Sequence, residues 1–411
     1  MEGTHSAGGS GRRAVTMAVL VAALGYFVDI YDLLLFGIIR VKSLQDLGLS
    51  GAELTRVGLH LLDVQMYGML VGGLVAGVIG DKRGRLSVLF GSIICYSLAN
   101  IANGFVTDVQ QYALARFVAG LGLAGELGAG ITLVSELMHK ETRGYGTAIV
   151  ASVGILGAIV ASFVGELWSW RVAYFVGGGL GLALLLLRVG VLESGMFSAA
   201  KKSDAKRGSL SLLLTGRRLG RYLSVILIGI PIWYVIALLI VLAPELGGAL
   251  GMAERPSAGR AILFSYAGLV LGDLGSGVLS QVFKTRKKIV ATFLLMTGAS
   301  IAVYFTVGPT SLTAFYACCF LLGVATGYWA VFMTIASEQF GTNIRATVTT
   351  TAPNFVRGSV PLVTWIFREL QAPLGLVGAA ATVGALTLVV AFVALMALDE
   401  TYGKDLDYFE S

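Results

Sequence analysis

Charge is scarce in this sequence. Asp, Glu, Lys and Arg make up 13% of its 411 residues, about half of the ~25% usual in soluble domains. Hydrophobic residues make up 56%. A water-soluble core cannot hide that much apolar surface behind so few charges, so a soluble globular fold is excluded. Cysteine is scarcer still: Cys95, Cys318 and Cys319 form no CxxC pair and no disulfide framework. The histidines His5, His60 and His139 are scattered. No nucleophile–base pair, metal-ligand spacing or phosphate loop occurs, which argues against an enzyme and calls for no cofactor and no metal. Strand-like alternation is also missing, so a membrane barrel is not indicated.

Long apolar runs are what the sequence has instead. A membrane-spanning helix needs roughly 20 mostly apolar residues. Twelve such stretches are predicted, at 14–38, 54–79, 86–105, 111–136, 145–168, 170–191, 222–245, 259–283, 289–307, 313–337, 347–368 and 375–397. Helices satisfy every backbone N–H within lipid, so the expected class is an all-α membrane protein. The first stretch is too long for a signal peptide, lacks a cleavage site, and contains Asp29 and Asp32. With both termini inside, 21 of the 30 Lys and Arg lie on the cytoplasmic side and seven outside. That bias predicts cytoplasmic termini in a multi-pass protein of the plasma (inner) membrane. The net charge of +6 then belongs to inside-facing loops, and no nucleic-acid partner is implied.

The chain repeats itself. The connection at 192–221 is basic and rich in Ser and Gly, and it divides the twelve helices into bundles at 1–191 and 222–411. "SELMHKETRG" (135–144) carries Glu136 seven residues before Arg143, and "SEQFGTNIRA" (337–346) carries Glu338 seven residues before Arg345. The shift is 202 residues. At nearly the same shift, "GVIGDKRGR" falls opposite "GVLSQVFKTRKK", so Gln281 stands where the first copy has Asp81. Two parallel six-helix halves suit a transporter with a site between them near mid-membrane.

Four charges, Asp81, Lys82, Arg83 and Arg85, crowd the first of these loops. That loop resembles the one between helices 2 and 3 of the major facilitator superfamily. "RFVAGLGLAGELGAG" (116–130) resembles helix 4 of its metabolite:proton symporters, and the Glu/Arg loops resemble those of its sugar porters. "LESGMF" (192–197) and "DETYGKDL" (399–406) resemble the segments that close each half, and "GYFVDIYDLLLFG" (25–37) the Asp-x-Tyr-Asp pattern of its phosphate:proton and aromatic-acid:proton symporters. The resemblance covers essentially the whole chain. It implies the major facilitator fold, with the predicted helices 1, 4, 7 and 10 around a central cavity and helices 2 and 11 adjacent across the halves. It further implies that Asp81, Arg85, Glu136, Arg143, Glu338 and Arg345 act in gating. Helix 7 lacks the Asp of a phosphate porter, and helix 5 lacks the Gly-Pro pattern of drug antiporters.

Ionisable residues at bilayer depth are expensive and each needs a reason. Asp29 and Asp32 lie three residues apart on the first helix, and Arg116 and Glu126 lie on the fourth. The family architecture makes these four a polar cluster suited to proton coupling. The plainer alternatives are bracing of the two helices or direct contact with substrate. Shifted by 202 residues, the four charges fall on Pro231, Tyr234, Cys318 and Tyr328. Hence a division of labour is expected: the first half titrates, and the second supplies shape and hydrogen bonds. Tyr31, Trp233, Tyr234, Tyr328, Trp329 and Arg357 are the candidates for substrate. Asp63 and Arg357 are expected to pair across the halves as a gate. Asp273 has no evident partner.

These features predict a secondary active transporter, a monomer in the lipid bilayer, coupling protons to uptake of a small organic anion such as a carboxylate. The alternatives are a symporter of a neutral or zwitterionic solute, an exporter, or a non-transporting sensor.

Overall fold

Helix ends show why the chain folds as it does. The computed structural model describes residues 7–83, 85–126, 143–193, 213 and 216–403. Among them the helices are α1 (Ala7–Asp46), α2 (Gly51–Arg83), α3 (Arg85–Asn103), α4 (Val109–Leu123), α5 (Arg143–Leu167) and α6 (Trp170–Glu193) in the first half. The second half holds α7 (Gly216–Tyr234), α8 (Ala243–Ala249), α9 (Ala258–Val282), α10 (Lys287–Thr306), α11 (Leu312–Thr326), α12 (Trp329–Glu338), α13 (Thr342–Gly358) and α14 (Val360–Ala397). Polar residues start several of them. Asp108 accepts from the Gln111 N–H at 2.8 Å to open α4, and Ser311 accepts from the Ala314 N–H at 3.1 Å to open α11. Each cap satisfies a backbone donor that the helix itself leaves free.

These helices occupy the positions of the predicted spans where residues are described, while 127–136 of the fourth span and most of the 192–221 connection lie outside the described residues, and the fold is an all-α bundle of two related halves. Eight described helical stretches are long and apolar enough to cross a membrane, and Ser87–Asn103 and Val153–Leu167 are shorter apolar helices. Three spans are less regular than their sequences suggest. The span predicted at 222–245 holds Pro231, then a π-helical turn at Val235–Ile240, then α8. Proline deletes a donor, and the wider turn absorbs the mismatch. The span at 313–337 breaks at Gly327–Tyr328 into α11 and α12. The last two spans meet within α14, where Gly375 adopts φ 68° and ends the helical path.

The repeat is visible where backbones touch. In the first half, a methyl group at Gly68 would overlap the Phe117 carbonyl, one at Gly72 the Leu121 carbonyl, and one at Gly120 the Gln65 carbonyl. In the second half, Gly268 meets the Phe320 carbonyl, Gly272 the Val324 carbonyl, and Gly323 the Ser265 carbonyl in the same way. Thus α2 crosses α4 as α9 crosses α11, with no side chain between the helices at these points. Small residues are the means by which membrane helices approach this closely.

The halves meet through α1 and α5 against α9, and through α2 against α13 and α14. The α2–α13 contact is antiparallel. Gly73 lies against Asn354, Leu70 against Gly358, and Asp63 against Thr364. That register decides which charges can meet.

Candidate functional site

Two buried charges lie within each other's field where the halves join. Asp29 on α1 is fully buried, and neither of its oxygens has a hydrogen-bond partner among the described residues. The cation whose field acts on it is Arg357, at the end of α13. Arg357 is 1% exposed, its Nε and Nη1 have no hydrogen-bond partner there, and its Cζ stands 5.5 Å from the ring centroid of Trp233. Its charge also reaches Tyr26 on α1 and Tyr266 on α9. Local sequence sets these positions. Pro361, in the first turn of α14, prevents α13 from running on beyond Ser359, and Gly154 on α5 leaves room for the Tyr26 ring. A guanidinium with free N–H groups beside aromatic faces suits a carboxylate attached to a planar ring.

Asp32 turns elsewhere. Its Oδ1 lies against Gly177 of α6, and the cation that acts on it is Arg116 of α4. The Arg116 guanidinium stands 5.3 Å from the Phe36 centroid and 5.7 Å from that of Tyr174, and none of its nitrogens has a hydrogen-bond partner among the described residues. Glu126 stays near Asp29, packed over Gly25 one turn along α1, and forms a buried ion pair with Arg188 of α6, a partner outside the expected cluster. A lone Arg inside "LLLLRVG" was the available signal for that partner.

Most of the predicted substrate aromatics brace helices. The hydroxyl of Tyr31 donates to the Ala173 carbonyl at 2.9 Å, that of Tyr234 to Ala380 at 2.6 Å, and that of Tyr328 to Ile228 at 2.9 Å. Trp329 packs against Phe332, with centroids 4.9 Å apart. Trp233 alone of the five stands against Arg357. Asp273 also gains a partner. Its Oδ1 accepts from the Ala330 N–H at 3.1 Å, so a carboxylate on α9 caps the first turn of α12 just past the break.

The expected Asp63–Arg357 pair does not form. Asp63 accepts from Thr364 Oγ1 at 2.6 Å and from Arg368 Nη2 at 2.9 Å. The register explains the correction, because Arg357 lies level with Leu70, seven residues and about 10 Å along α2 from Asp63. Two further ties join the halves at this same end of the bundle, where α1 turns into α2. Arg40 pairs with Glu245 at 2.6 Å, and Glu166 meets Ser257 Oγ at 2.8 Å and Arg260 at 3.4 Å. A double-mutant cycle on Asp63→Ala and Arg368→Ala is expected to show a coupling of ~0.5–3 kcal/mol in thermal unfolding, whereas Asp63→Ala with Arg357→Ala is additive.

At the opposite end, Arg286 reaches Glu338 at 3.3 Å, Thr401 Oγ1 donates to Glu338 at 2.7 Å, and Arg345 Nε donates to the Ser337 carbonyl at 2.8 Å. Glu400 accepts from Thr285 Oγ1 at 2.5 Å and from the N–H groups of Arg286 and Lys287 at the start of α10. Burial pushes its carboxyl up, but these bonds and one from the Tyr402 N–H outweigh burial and hold it below the usual Glu value. A depressed folded-state value means stability that is present above the unfolded pKa of ~4.3 and lost as pH falls through the lower folded one. Glu400→Gln is therefore expected to flatten the loss of thermal stability seen in acid. The side chains of Asp81, Arg85 and Arg143, and the whole of Glu136, lie outside the described residues.

A sequence model described as the Major Facilitator Superfamily matches residues 17–358. The chain belongs to that superfamily. Among curated relatives of this superfamily chain, one from Cupriavidus pinatubonensis named "Probable 4-methylmuconolactone transporter" is 30% identical, over 92% of this chain and 89% of the relative. The gentisate transporter of Corynebacterium glutamicum is 25% identical, over 82% and 77%. The 3-(3-hydroxy-phenyl)propionate transporter of Escherichia coli is 27% identical, over 70% and 71%. A crystal structure of a D-xylose-proton symporter superposes with a TM-score of 0.68 over 95% of this chain and 100% of that one, at 16% identity, which speaks to the fold.

Proposed function

We propose that this member of the major facilitator superfamily is a proton-coupled symporter of a small, ring-bearing organic carboxylate. It acts as a monomer in the plasma membrane, with both termini cytoplasmic and the α1–α2 end extracellular. The observation that carries the reading is Arg357: buried, with two nitrogens that have no partner among the described residues, over Trp233 and with Asp29 in its field. An incoming carboxylate competes with Asp29 for the guanidinium. Once the substrate holds Arg357, Asp29 has lost its counter-charge in a low-dielectric site and takes up a proton. Substrate and proton then cross together. The Trp233, Tyr26 and Tyr266 rings favour a planar substrate, in keeping with the phenyl-bearing acid and the gentisate named for two relatives. A neutral sugar carries no charge with which to displace Asp29 from the guanidinium, which disfavours that alternative.

The test uses purified protein in liposomes. Benzoate-type acids are expected to raise thermal stability, and their amides and simple sugars are not. An inward proton gradient should drive accumulation of the active acid. Asp29→Asn is expected to abolish that accumulation while counterflow exchange survives, since Asn resembles the protonated acid. Gradient-driven accumulation by Asp29→Asn would move the proton to Asp32 or Glu126.

A further inference from the structure

Behind α1, inside the first half, runs a column of polar groups that the substrate site does not use. It follows one face of α6. Tyr174, Gly177, Gly181 and Arg188 span fifteen residues of that helix, about 21 Å along its axis. Each meets a polar partner from another helix. The Tyr174 hydroxyl lies 2.7 Å from that of Tyr112 on α4, and Tyr112 donates to Ser43 Oγ at 3.2 Å. Asp32 lies against Gly177, Ser97 Oγ against Gly181, and Glu126 against Arg188. The two glycines are open windows, since a methyl group at either would overlap the polar atom facing it.

The middle of the column is unsatisfied. Both oxygens of Asp32, both amide atoms of Asn100, Ser97 Oγ and Tyr96 Oη are buried and outside hydrogen-bond geometry with any partner among the described residues, although the Asn100 amide approaches Asp32. Tyr96, Ser97 and Asn100 share α3, with Asn100 beside Asp32. The Tyr96 ring lies against Gly181, on the α6 face between Gly177, which meets Asp32, and Arg188, which meets Glu126. Buried polar atoms that lack protein partners are satisfied by water when the site is polar and roomy. Hydroxyls, carboxamides and water in file are the elements of a proton relay.

We propose that this column is the proton route of the transporter, separate from the substrate cavity, in two limbs that meet at Asp32. One limb enters at the α1–α2 end through Ser43, Tyr112 and Tyr174. The other leaves past Asn100 and Tyr96 to Glu126. At each hydroxyl or water an O–H bond forms to the arriving proton as the O–H bond to the departing one breaks, so no group is oxidised or reduced. The outer limb comes close to solvent. Trp170 stacks on Tyr112, with centroids 6.0 Å apart, and donates to Asp46, which is 54% exposed. Arg116 stands over Tyr174 where the limbs join. Its fixed positive charge opposes passage of a free hydronium, as arginines do in water pores. A proton therefore stops on Asp32 rather than leaking through, and Asp29 three residues away is one helical turn from receiving it. Tyr112 and Tyr174 are positioning residues of the relay, with no contact to substrate.

This inference rests on the proton-coupled reading above, and the experiment separates the two. Gradient-driven uptake of benzoate-type acid, counterflow and thermal stability are measured in liposomes for wild type, Tyr112→Phe, Tyr174→Phe and Asn100→Leu. Asn100→Leu interrupts the second limb with a side chain of the same branching and no polar atom, should a Tyr variant fold poorly. Loss of gradient-driven uptake by about tenfold or more, with counterflow within about twofold of wild type, is the expected result. Wild-type uptake driven by the gradient together with variants that match it overturns the relay alone. Parallel loss of uptake, counterflow and stability in all three variants assigns the column to bracing and also overturns it. Wild-type accumulation that ignores the proton gradient overturns the coupling reading, and the relay with it.

Discussion

Arg357→Lys is expected to lower uptake of the acid substrate by about ten- to a hundredfold while leaving the protein folded. The change keeps the charge and removes the planar fork. Lysine presents a compact ammonium that cannot hold a carboxylate at two points or stack over Trp233 as the guanidinium does at 5.5 Å. Hydrogen bonds to charged groups contribute about 1.5–3 kcal/mol each, so the loss of one bond and its geometry accounts for a fall of that size. Arg357→Ala removes more, because Asp29 then loses the cation that balances it. Binding should be measured alongside uptake, by thermal shift with the acid. If Arg357→Lys transports and binds as wild type does, Arg357 is a structural cation and the substrate anchor lies elsewhere.

The largest effect on stability is expected at Glu126 and Arg188. The two side chains are 1% and 5% exposed and hydrogen-bonded to each other. Removing one partner leaves a buried, unpaired charge, which costs about 3–5 kcal/mol. Glu126→Ala or Arg188→Ala should therefore lower thermal stability sharply. Replacing both with Met should recover most of the loss, because buried pairs give little net stabilisation over apolar residues of similar size. The double variant then isolates function. If Glu126 is the terminus of the proton route, the double variant folds, exchanges substrate and fails to concentrate it.

Much of the architecture was legible in the amino-acid order because lipid imposes a length rule. Runs of about 20 apolar residues need no knowledge of their neighbours to be recognised. Pairings across helices were harder, since they depend on register. Asp63 and Arg357 both lie at mid-span by sequence, yet α2 and α13 pass each other with Arg357 level with Leu70, and Arg368 takes the pair. Direction is a second obstacle. Tyr31, Tyr234 and Tyr328 needed hydroxyl partners, but nothing in their sequence said whether a neighbouring carbonyl or a solute would serve, and carbonyls do. Tyr26, by contrast, sits three residues before Asp29 in the same quoted pattern, and Arg188 interrupts a run of leucines. Both signals were present and are read easily once the face of each helix is known.

The glycine crossings bear on how the two halves came to differ. Gly68, Gly72 and Gly120 in the first half answer to Gly268, Gly272 and Gly323 in the second, shifted by 200 to 203 residues. Across the same interval Asp29, Asp32, Arg116 and Glu126 have no charged counterparts. If one ancestral bundle was copied, its descendants kept the distance between backbones and let the chemistry drift. Thickness at a crossing has no substitute, since any side chain there parts two helices along their whole length. A charge is different: one copy suffices for the pair, and the other position is then free to become a wall. Asymmetric function on a symmetric frame follows from that unequal freedom.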